Sequence, residues 1–530
     1  MKTRTTLFAV LIVVASVLLA PVYGPEIRAH AASTSTGDDL DKDIRTVANV
    51  YALVEKNYAD PISSEKAFYG GAIPGMLHTL DPHSNFVDPA EYREMQRRQH
   101  AQYYGVGMQI AMDGPKVVVM EPFVNSPAWN AGMRRGDVIV AVDGKDTTKM
   151  ESPGVADLLR GPKGTPVKVS VMRDGATEPY TATITRGEIE TSVVDAFWVK
   201  PNIAYLHVES FEAQNVSKDT ETLMRQMGEQ NVNGLVLDLR GNLGGLVTEA
   251  VGLAGRFLRN GQTVVSHRGR AESEQIFRAH ANALAQKYPI VMLVDGQSAS
   301  ASEIVTGALQ DHDRAWIMGQ TTFGKGLVQA QFPLSEGAAL LLTIAHYYTP
   351  SGRLIQRDYS HQSFYSYYAH TDTNTNDVKD VHPTDSGRKV YGGGGITPDE
   401  KYASPKYSIF QRRLGVYPNS VNMFYRFANL YFGTKKPELP QGWQPDAATL
   451  DRFKQFLTAQ KMPFTDADFE ANRDWVKQGI RWEFYFRAFD KNTANRAGWA
   501  EDPEIAKAIE SMPKAQSLLN AAQKIYAMRR

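Results

Sequence analysis

Apolar residues recur along this chain with different spacings in different stretches, and each spacing predicts a different kind of element. Between Ile44 and Tyr58 they recur every three or four residues, which is typical of an amphipathic helix. From about Tyr104 to Gly187, short runs of alternating apolar residues are separated by glycine turns, a pattern that predicts the strands of a small β domain. The clearest of these runs are 117–120, 138–142 and 167–171.

From Ile203 onward, near-continuous apolar strands alternate with helical stretches, which predicts an α/β core. Residues 235–240 and 290–294 form two such strands, and the loops after them are expected at the ligand-binding end of the sheet. Helical spacing also marks residues 67–80, which end at a proline stop, and several segments near the C-terminus. Those C-terminal segments are 423–431, 450–460, 473–489 and 505–528.

The patterns predict an α/β protein of several domains in a chain of 530 residues. The predicted parts are an N-terminal leader at 1–32, a helical segment at 40–102, a β domain at 103–187, an α/β core at 188–403 and a helical extension at 404–530. A polar insertion at about 358–388 is predicted to be a mobile surface loop. The N-terminal helices could serve a homo-oligomer or only cap the next domain. The C-terminal extension could pack on the core or mediate assembly.

The composition excludes several classes of protein. Lysine plus arginine and aspartate plus glutamate both total 58, so the charge balance gives no reason to expect a nucleic-acid partner. The absence of cysteine excludes disulfides and catalytic thiolates, and it suits an oxidising compartment. The twelve histidines show no metal-ligand spacing, so no metal site and no other cofactor is predicted.

The first residues predict an export signal. A basic start, Met1 to Arg4, is followed by a charge-free apolar run from Leu7 to Ala20, and the small residues Ala31 and Ala32 lie downstream. That run is shorter than the ~20 residues that span a bilayer, which favours cleavage over an uncleaved membrane anchor. We therefore expect an exported protein of the periplasm or cell envelope.

The β domain carries an ordered set of short motifs that resembles a PDZ domain. The motifs are Tyr104-Gly105-Val106-Gly107-Met108, Ser126-Pro127-Ala128, Ala131-Gly132, Gly136-Asp137-Val138-Ile139 and Val142-Asp143-Gly144. The resemblance implies that backbone amides of the loop Gly105, Val106, Gly107 and Met108 hold the terminal carboxylate of a peptide, which adds as a strand beside the sheet. The two glycines alone would fit a tight turn. The resemblance also implies a regulatory role for Arg160, which otherwise fits an ordinary solvated charge.

The strand at 290–294 leads into three serines at the start of a helix, and a glycine-flanked lysine follows. Ser298, Ser300 and Ser302 are the candidate nucleophiles, and Lys325 is the candidate base. By itself, Ser300 with Glu303 is also the pattern of a helix capping box. The serine run and the lysine are accompanied by other motifs, which are Gly244-Gly245, Gln310-Asp311 and Gln329.

This set of motifs, with the PDZ-like domain upstream, resembles the carboxyl-terminal processing proteases, serine peptidases of family S41 with a crotonase- or ClpP-like α/β core. The resemblance implies that Ser300 attacks, Lys325 accepts the proton and Gln329 orients the lysine. It further implies that the amides of Gly245 and Ala301 stabilise the oxyanion. The amine of Lys325 must be neutral, which burial among apolar neighbours would favour. Asp311 is expected to support the architecture.

Three alternative interpretations differ from a serine–lysine protease in the function they assign. A serine–histidine triad would use His312 or His267 as base, although neither lies in a triad motif. A binding scaffold would use the PDZ domain to tether envelope proteins without cutting them. An acyl-CoA enzyme on the same α/β fold would have no need for a PDZ domain. The protease interpretation expects protein or peptide substrates that are bound by their C-terminus.

Overall fold

The computed structural model describes residues 37–100, 102–190, 192–271, 273–280, 287–360, 367, 380–403, 406–416, 420–435, 437–440 and 442–528. The chain divides into two compact units, Met1–Leu80 and Asp81–Arg530. The predicted leader at 1–32 lies outside the described residues, as does most of the insertion predicted at 358–388.

The described part of the first unit is helical. It contains α1 (Gly37–Asn57), α2 (Ser64–Ala67), a π-helical turn (Phe68–Ala72) and α3 (Ile73–His78). Tyr51 of α1 contacts Phe68, with ring centroids 5.1 Å apart. The apolar stripe of α1, including Leu40 and Ile44, is exposed within this unit. None of the helices that the structure describes combines the length and the apolar character of a membrane span.

The PDZ-like domain is a small sheet with two short helices. Its strands are β3 (Met108–Asp113), β4 (Lys116–Pro122), β5 (Val138–Val142), β6 (Lys145–Asp146), β7 (Pro166–Met172) and β8 (Tyr180–Thr185). The helices are α5 (Pro127–Asn130) and α6 (Ser152–Leu159). The three predicted strands are confirmed. Along β7, Val167, Val169 and Val171 are buried and alternate with polar residues, as expected for a sheet with one buried face.

The sheet runs in the order β3-β4-β5-β7-β8, with β6 on β5, so β3 is an edge strand beside α6. A ribbon of β2 (Gln102–Gly105) and β9 (Gly187–Glu190) joins the two ends of the domain. An open edge next to a helix is the place where a PDZ-like domain can accept an added strand.

The peptidase-like core is built on a six-stranded sheet with the order β10-β11-β12-β15-β16-β21. Its strands are β10 (Val194–Lys200), β11 (Ile203–Val208), β12 (Gly234–Asp238), β15 (Ile290–Val294), β16 (Trp316–Gly319) and β21 (Glu400–Lys401). Within this sheet, neighbouring strands run parallel from β11 through β12, β15 and β16 to β21. The helices are α7 (Val216–Met227), α8 (Val247–Phe257) and α9 (Ala301–Asp311), with a 3₁₀ turn at Glu229–Asn231. Every residue of α9 is buried, so α9 is the central helix of the core.

A second sheet belongs to the same part of the chain. It contains β1 (Asn85–Val87), β18 (Ala339–Tyr348), β13 (Thr263–Arg268) and β14 (Gln275–Arg278), with β17 (Leu327–Pro333) paired to β18; a 3₁₀ turn, Ser335–Gly337, joins the last two. The segment at 40–102 was expected to be purely helical, and strand β1 corrects that expectation. After β1, the segment continues with the helix α4 (Pro89–His100). The pairing partner of β1 lies about 250 residues away in sequence, so no local pattern predicts it.

The described part of the insertion is not simply a surface loop. It includes the hairpin of β19 (Val381–Pro383) and β20 (Lys389–Tyr391), and Tyr367, whose side chain is buried. Tyr367 therefore departs from the prediction of a surface loop, whereas Val381 and Pro383 of β19 are exposed.

The C-terminal extension is helical, as predicted. Its helices are α10 (Ile409–Leu414), α11 (Met423–Phe432), α12 (Ala447–Ala459), α13 (Asp466–Ala471), α14 (Arg473–Ala488), α15 (Lys491–Trp499), α16 (Pro503–Glu510) and α17 (Met512–Met528). Its own core is aromatic, with Phe427, Phe453 and Phe484 buried together. The extension packs on the peptidase core, where Trp499 contacts Tyr205, and on the PDZ-like domain, where Tyr425 packs against Met120.

A buried ion pair joins the extension to the PDZ-like domain. Arg135 Nε and Nη2 donate to the two carboxylate oxygens of Glu483 at 2.7 and 3.0 Å, and the side chains are only 2% and 1% exposed. We expect Glu483→Ala to lower the free energy of unfolding by about 3–5 kcal/mol, because it removes the buried carboxylate that pairs with both Arg135 and Arg487. Chemical denaturation measures this change.

The matched control is Glu221→Ala, which breaks the exposed ion pair of Glu221 with Arg225 on α7. That variant should change the free energy of unfolding by no more than about 0.5 kcal/mol. Equal effects of the two substitutions would contradict the importance of the buried pair.

Candidate active site

Ser300 lies at the junction between β15 and α9, where it is the N-cap residue. Its backbone has φ +55° and ψ −114°, a conformation that non-glycine residues adopt only when the surroundings enforce it. The side chain is half-buried at the start of α9. The hydroxyl is therefore presented at the N-terminus of a buried helix, where the helix dipole favours negative charge.

The two rival serines have different surroundings. Ser298 Oγ donates to the carbonyl of Leu239 at 2.8 Å, and Ser302 Oγ donates to the carbonyl of Asn242 at 2.9 Å. Both side chains are fully buried. These hydroxyls connect the serine run to the loop that follows β12, and neither faces solvent.

Glu303 is the centre of the hydrogen-bond network around Ser300. Its carboxylate accepts the amide of Ser300 at 2.9 Å, the amide of Lys325 at 2.9 Å and the amide of Gly324 at 2.8 Å, and it also accepts the hydroxyl of Thr322. Glu303 is completely buried, and burial raises the pKa of its carboxyl, while the four hydrogen bonds oppose that rise. The capping box expected from the sequence is present, and Glu303 extends it to the loop of Lys325.

Lys325 reaches the site from the loop between β16 and β17. Its Nζ donates to Gln329 Oε1 at 2.8 Å and makes no hydrogen bond to Ser300 within the described structure. Burial lowers the pKa of Lys325, although the charges of Asp81 and Glu303 oppose the shift. A lysine with a lowered pKa and a neutral hydrogen-bond acceptor has the properties of a general base.

Tyr347 is a second link between the two loops. Its hydroxyl donates to the carbonyl of Ser300 at 3.1 Å and to the carbonyl of Lys325. The ring is fully buried. Together, Tyr347 and Glu303 hold the backbones of residues 300 and 325 beside each other from two sides.

Gln329 is itself held by the segment before β1. Its Nε2 donates to the carbonyl of His83 at 2.6 Å, and the amide of His83 donates to Asp81 at 2.7 Å. The ring of His83 hydrogen-bonds the hydroxyl of Tyr367 at 3.0 Å. Burial and the nearby charge of Lys325 lower the pKa of His83 to about 3, so the ring is neutral at physiological pH. Sequence reasoning missed His83 and Tyr367 because they lie far from the motif in the chain.

The flanking glycines of Lys325 have a packing role that the sequence did not reveal. A side chain on Gly326 would lie 2.8 Å from the amide nitrogen of Gln356, and one on Gly324 would lie 3.0 Å from Cβ of Arg357. In the structure they let the chain at 356–357 pass close behind the lysine loop.

The two amides predicted for the oxyanion hole lie near Ser300 and have no acceptor in the described structure. The amide of Ala301 is at the first position of α9, and the amide of Gly245 is on an exposed part of the loop after β12. Phe211 and Leu246 provide the backbone hydrogen bonds on either side of Gly245.

Gly244 of this loop lies close to the serine, and the sequence pattern assigned it no role. Gly244 has φ +99°, and a side chain there would lie 2.6 Å from the carbonyl oxygen of Ala299 and 2.8 Å from Cβ of Ser300. The preceding Asn242 accepts the amide of Ala299 at 3.0 Å. The strand-following loop and the serine run therefore form one packed unit.

Gly244→Ala is expected to lower peptidase activity by roughly 10²-fold, because the new side chain would push the loop away from Ser300. The control is Gly261→Ala, which has a similar positive φ of +82° but meets no atom within 4 Å. A steady-state assay of both variants measures the effect. Equal losses would indicate that backbone strain, not the contact with Ser300, explains the result.

The histidines considered as alternative bases lie elsewhere. His312 is at the opposite end of α9 from Ser300, about 18 Å along the helix axis. Its ring contacts Asp385 at 2.8 Å and the carbonyl of Thr263 at 2.8 Å. His267 is on β13, where its ring packs edge-on against Phe277. The structure does not bring either of them to Ser300.

Asp311 also lies at the far end of α9. It forms an ion pair with the fully buried Arg353 at 2.7 Å and accepts the amide of Ser351 at 3.0 Å. The structure thus places Asp311 in a buried contact that ties α9 to the chain after β18. No group of three or more histidine or acidic side chains in the described part of the chain is arranged to hold a metal ion.

The candidate carboxylate-binding loop of the PDZ-like domain is buried against its neighbours. Gly105 ends β2, Met108 begins β3, and Val106 and Gly107 accept hydrogen bonds from the residues around α5. Gly107 has φ +78°, and a side chain there would lie 2.4 Å from Cβ of Ser126. Glycine is therefore required at this position by both conformation and space.

Arg160 lies just after α6. Its guanidinium pairs with Glu94 of α4 at 3.1 Å and with Asp157 at 3.3 Å. The arginine thus connects the helix beside the peptide edge of the PDZ-like domain to α4, outside that domain.

The chain is similar to known proteins in two regions. Residues 202–360 match Peptidase family S41, and residues 118–173 match a PDZ domain. The carboxy-terminal-processing protease of Bartonella bacilliformis is 36% identical over 335 residues, which cover 62% of this chain and 76% of that protein. The carboxyl-terminal-processing protease of Synechocystis sp. is 36% identical over 309 residues, covering 57% of this chain and 71% of that protein.

A solved structure named photosystem II D1 C-terminal processing protease is also similar. The two chains share 29% sequence identity, and their alignment covers 67% of this chain and 86% of the solved structure's chain, with a TM-score of 0.34. The sequence relatives cover enough of both chains to confirm the resemblance that the motifs predicted. With a PDZ domain followed by an S41 peptidase core, the chain belongs to the carboxy-terminal-processing proteases, the serine peptidases of family S41.

Proposed function

We propose that this peptidase is an exported endopeptidase that cleaves protein substrates with Ser300 as nucleophile and Lys325 as general base. The observation that carries the proposal is the shared carboxylate of Glu303, which accepts the amides of Ser300 and Lys325 at 2.9 Å each. One buried group thereby sets the separation of the two loops. Burial of Lys325 lowers its pKa in the direction that a base requires.

The proposed reaction begins when neutral Lys325 accepts the proton of the Ser300 hydroxyl as the oxygen attacks the scissile carbonyl. The four-carbon stem of the lysine lets Nζ move from Gln329 toward the serine. The amides of Ala301 and Gly245 stabilise the negative oxygen of the tetrahedral intermediate. Lys325 then returns the proton to the leaving amine, and water hydrolyses the acyl-enzyme by the same route.

Gln329 is proposed to hold Lys325 between turnovers without charging it. Its carbonyl oxygen accepts from Nζ at 2.8 Å, while its amide nitrogen is fixed on the carbonyl of His83 at 2.6 Å. An uncharged acceptor positions the amine and leaves its pKa low, whereas a carboxylate at the same place would raise the pKa.

The PDZ domain is proposed to bind the C-terminal end of the substrate. Strand β3 is an edge strand of its sheet in the described part of the chain, where a further strand can be added, and α6 lies alongside. The partly buried side chains of Ile110 and Leu158 belong to the apolar surface of this strand–helix pair. An apolar C-terminal residue fits such a surface, with its carboxylate near the loop 105–108.

Export and regulation complete the proposal. The basic and apolar pattern of residues 1–32 and the absence of cysteine support a place in the periplasm or cell envelope. N-terminal sequencing of the purified native protein tests whether the leader is removed or retained as an anchor.

The contact of Arg160 with Glu94 supports a role for Arg160 in relaying peptide binding out of the PDZ domain.

The test is proteolysis of an unfolded protein with an apolar C-terminus by the purified mature chain. Wild type should cleave it, and Ser300→Ala should not. Ser302→Ala is the matched control, since its hydroxyl is buried in a structural bond, and it should retain cleavage. Activity that survives Ser300→Ala would refute the proposed nucleophile. Binding of the substrate C-terminus without cleavage by wild type would favour the alternative of a PDZ scaffold.

A further inference from the structure

Arg240 lies between β12 and the loop that carries Gly244 and Gly245, and it is held by three carboxylates. The first is Asp238, the last residue of β12, which Arg240 Nη2 contacts at 2.6 Å. The other two, Asp502 and Glu504, come from the start of α16 in the C-terminal extension, each at 2.9 Å. Two of the three partners therefore lie more than 250 residues further along the chain.

The cluster is largely removed from water. The side chain of Asp238 is 2% exposed and that of Glu504 is 6% exposed, while Arg240 retains 19%. Tyr205 donates to Asp238 at 2.7 Å, and the ring of Trp499 covers Tyr205. Buried ion pairs add little stability compared with apolar packing, but they require a specific geometry. This contact is therefore suited to fixing the position of Arg240.

The residues around Arg240 lead directly to Ser300. The carbonyl of Leu239 accepts Ser298 Oγ at 2.8 Å, and the amide of Gly241 donates to Asp295 at 3.0 Å. Asn242 then accepts the amide of Ala299 at 3.0 Å. Residues 239, 241 and 242 are thus each bonded to the segment that precedes the nucleophile. A displacement of Arg240 would be transmitted to this unit.

We propose that Glu504, with Asp502, is a positioning residue of the peptidase, which fixes the loop 240–245 through Arg240 and so sets the Gly245 amide relative to Ser300. This inference rests on the proposed function, because the Gly245 amide is assigned to the oxyanion there. The C-terminal extension is accordingly a structural part of the active site.

Glu504 is the residue to vary, because Asp502 is also the N-cap of α16 and its loss would weaken the helix itself. In the full-length enzyme we expect Glu504→Ala to lower kcat roughly tenfold to a hundredfold, as for a misplaced catalytic group. KM should stay within about twofold, because the PDZ edge is untouched. The rate at which a fluorophosphonate modifies Ser300 should fall with kcat. Glu504→Gln, which keeps the volume, guards against loss of folding.

The matched control is Glu510→Ala on the same helix, whose carboxylate pairs with exposed Lys507 at 3.1 Å and contacts no residue of the loop. Its kcat should equal that of wild type. In a double-mutant cycle, Glu504→Ala should have little further effect in an Arg240→Ala background, because its influence passes through Arg240. An additive effect, or a kcat for both Glu504 variants equal to that of the control, would overturn the proposal.

Hydrogen exchange separates this inference from the proposed function. Glu504→Ala should accelerate exchange of the amides in residues 241–246 several-fold and leave the PDZ domain unchanged. Unchanged exchange in that segment would overturn the positioning role even if activity falls. Loss of the proposed function itself would instead appear as cleavage by the Ser300→Ala variant, whatever the exchange result.

Discussion

Replacing Lys325 with methionine is expected to lower kcat/KM by roughly 10²- to 10⁴-fold, the usual contribution of a general base. Methionine has a similar length and keeps the apolar contacts of the stem, but it cannot accept a proton. The amide of residue 325 would still donate to Glu303, since that bond uses the backbone. A steady-state assay measures the loss, and Lys507→Met, an exposed lysine on α16, should retain wild-type activity.

The pH profile provides a second readout for the same base. Because burial lowers the pKa of Lys325, kcat/KM should rise with pH through that lowered pKa and then level off. The unfolded chain binds this proton more tightly, so stability should also rise with pH between the folded pKa and the ordinary value of 10.5. Lys325→Met should lose that slope. A rate that falls over this pH range would contradict the assignment.

Gln329→Glu tests the same idea from the acceptor side. A carboxylate 2.8 Å from Nζ would favour the ammonium form and raise the pKa of Lys325, so the activity profile should move to higher pH. An unchanged profile would indicate that Lys325 does not titrate in the reaction.

Glu303→Gln is expected to have the second largest effect. The carboxylate accepts three backbone amides and one hydroxyl, and an amide group would turn two of its four acceptor positions into donors. Buried donors would then face donors, which should lower the free energy of unfolding by about 3 kcal/mol. Activity should fall as well, because the loops of Ser300 and Lys325 would no longer share one acceptor. Denaturation and a peptidase assay measure the two effects.

The matched control is Glu249→Gln on α8, whose carboxylate accepts a single hydrogen bond in the described part of the chain, from the amide of Ser217 at 2.9 Å. The carbonyl oxygen of glutamine can replace that single acceptor, so both stability and activity should stay close to wild type. If Glu303→Gln behaved like this control, Glu303 could not be the group that holds the two loops together.

These results bear on how the extension and the PDZ domain relate to the catalytic centre. The extension contacts the PDZ domain through Glu483 and the core through Glu504, in each case by a buried arginine–carboxylate pair. Disturbing the first contact should mainly affect stability, whereas disturbing the second should mainly affect kcat. The two variants therefore distinguish a supporting contact from a positioning one.

Much of this protein was predictable from short-range patterns. The PDZ strands were expected at 117–120, 138–142 and 167–171 and were found at Lys116–Pro122, Val138–Val142 and Pro166–Met172. The buried strand Ile290–Val294 was predicted to the residue. Alternation and continuous apolar runs reflect which faces of a strand are covered, so they can be recognised without knowledge of the partner.

Features that depend on distant partners were not predictable in this way. Strand β1 pairs with β18, and Tyr367 reaches His83, because residues remote in sequence meet in the folded core. The sequence also did not decide whether the C-terminal extension packs on the core or mediates assembly. Its contacts with Arg135 and Arg240, which exist only in the folded chain, show that it packs on both domains.

The candidate catalytic residues also combine features that the sequence predicted with features that only the folded structure decided. Ser300, Lys325 and Gln329 stand out in the sequence because their spacing and neighbours resemble those of a family, and the sequence relatives confirm that resemblance. The choice among three neighbouring serines did not rest on any local physical signal. Tertiary structure separates them, because packing buries the hydroxyls of Ser298 and Ser302 on backbone carbonyls and holds Ser300 at positive φ on the accessible side. Burial around Glu303 and Lys325 is likewise a property of the folded core, since desolvation exists only once the surrounding elements have packed.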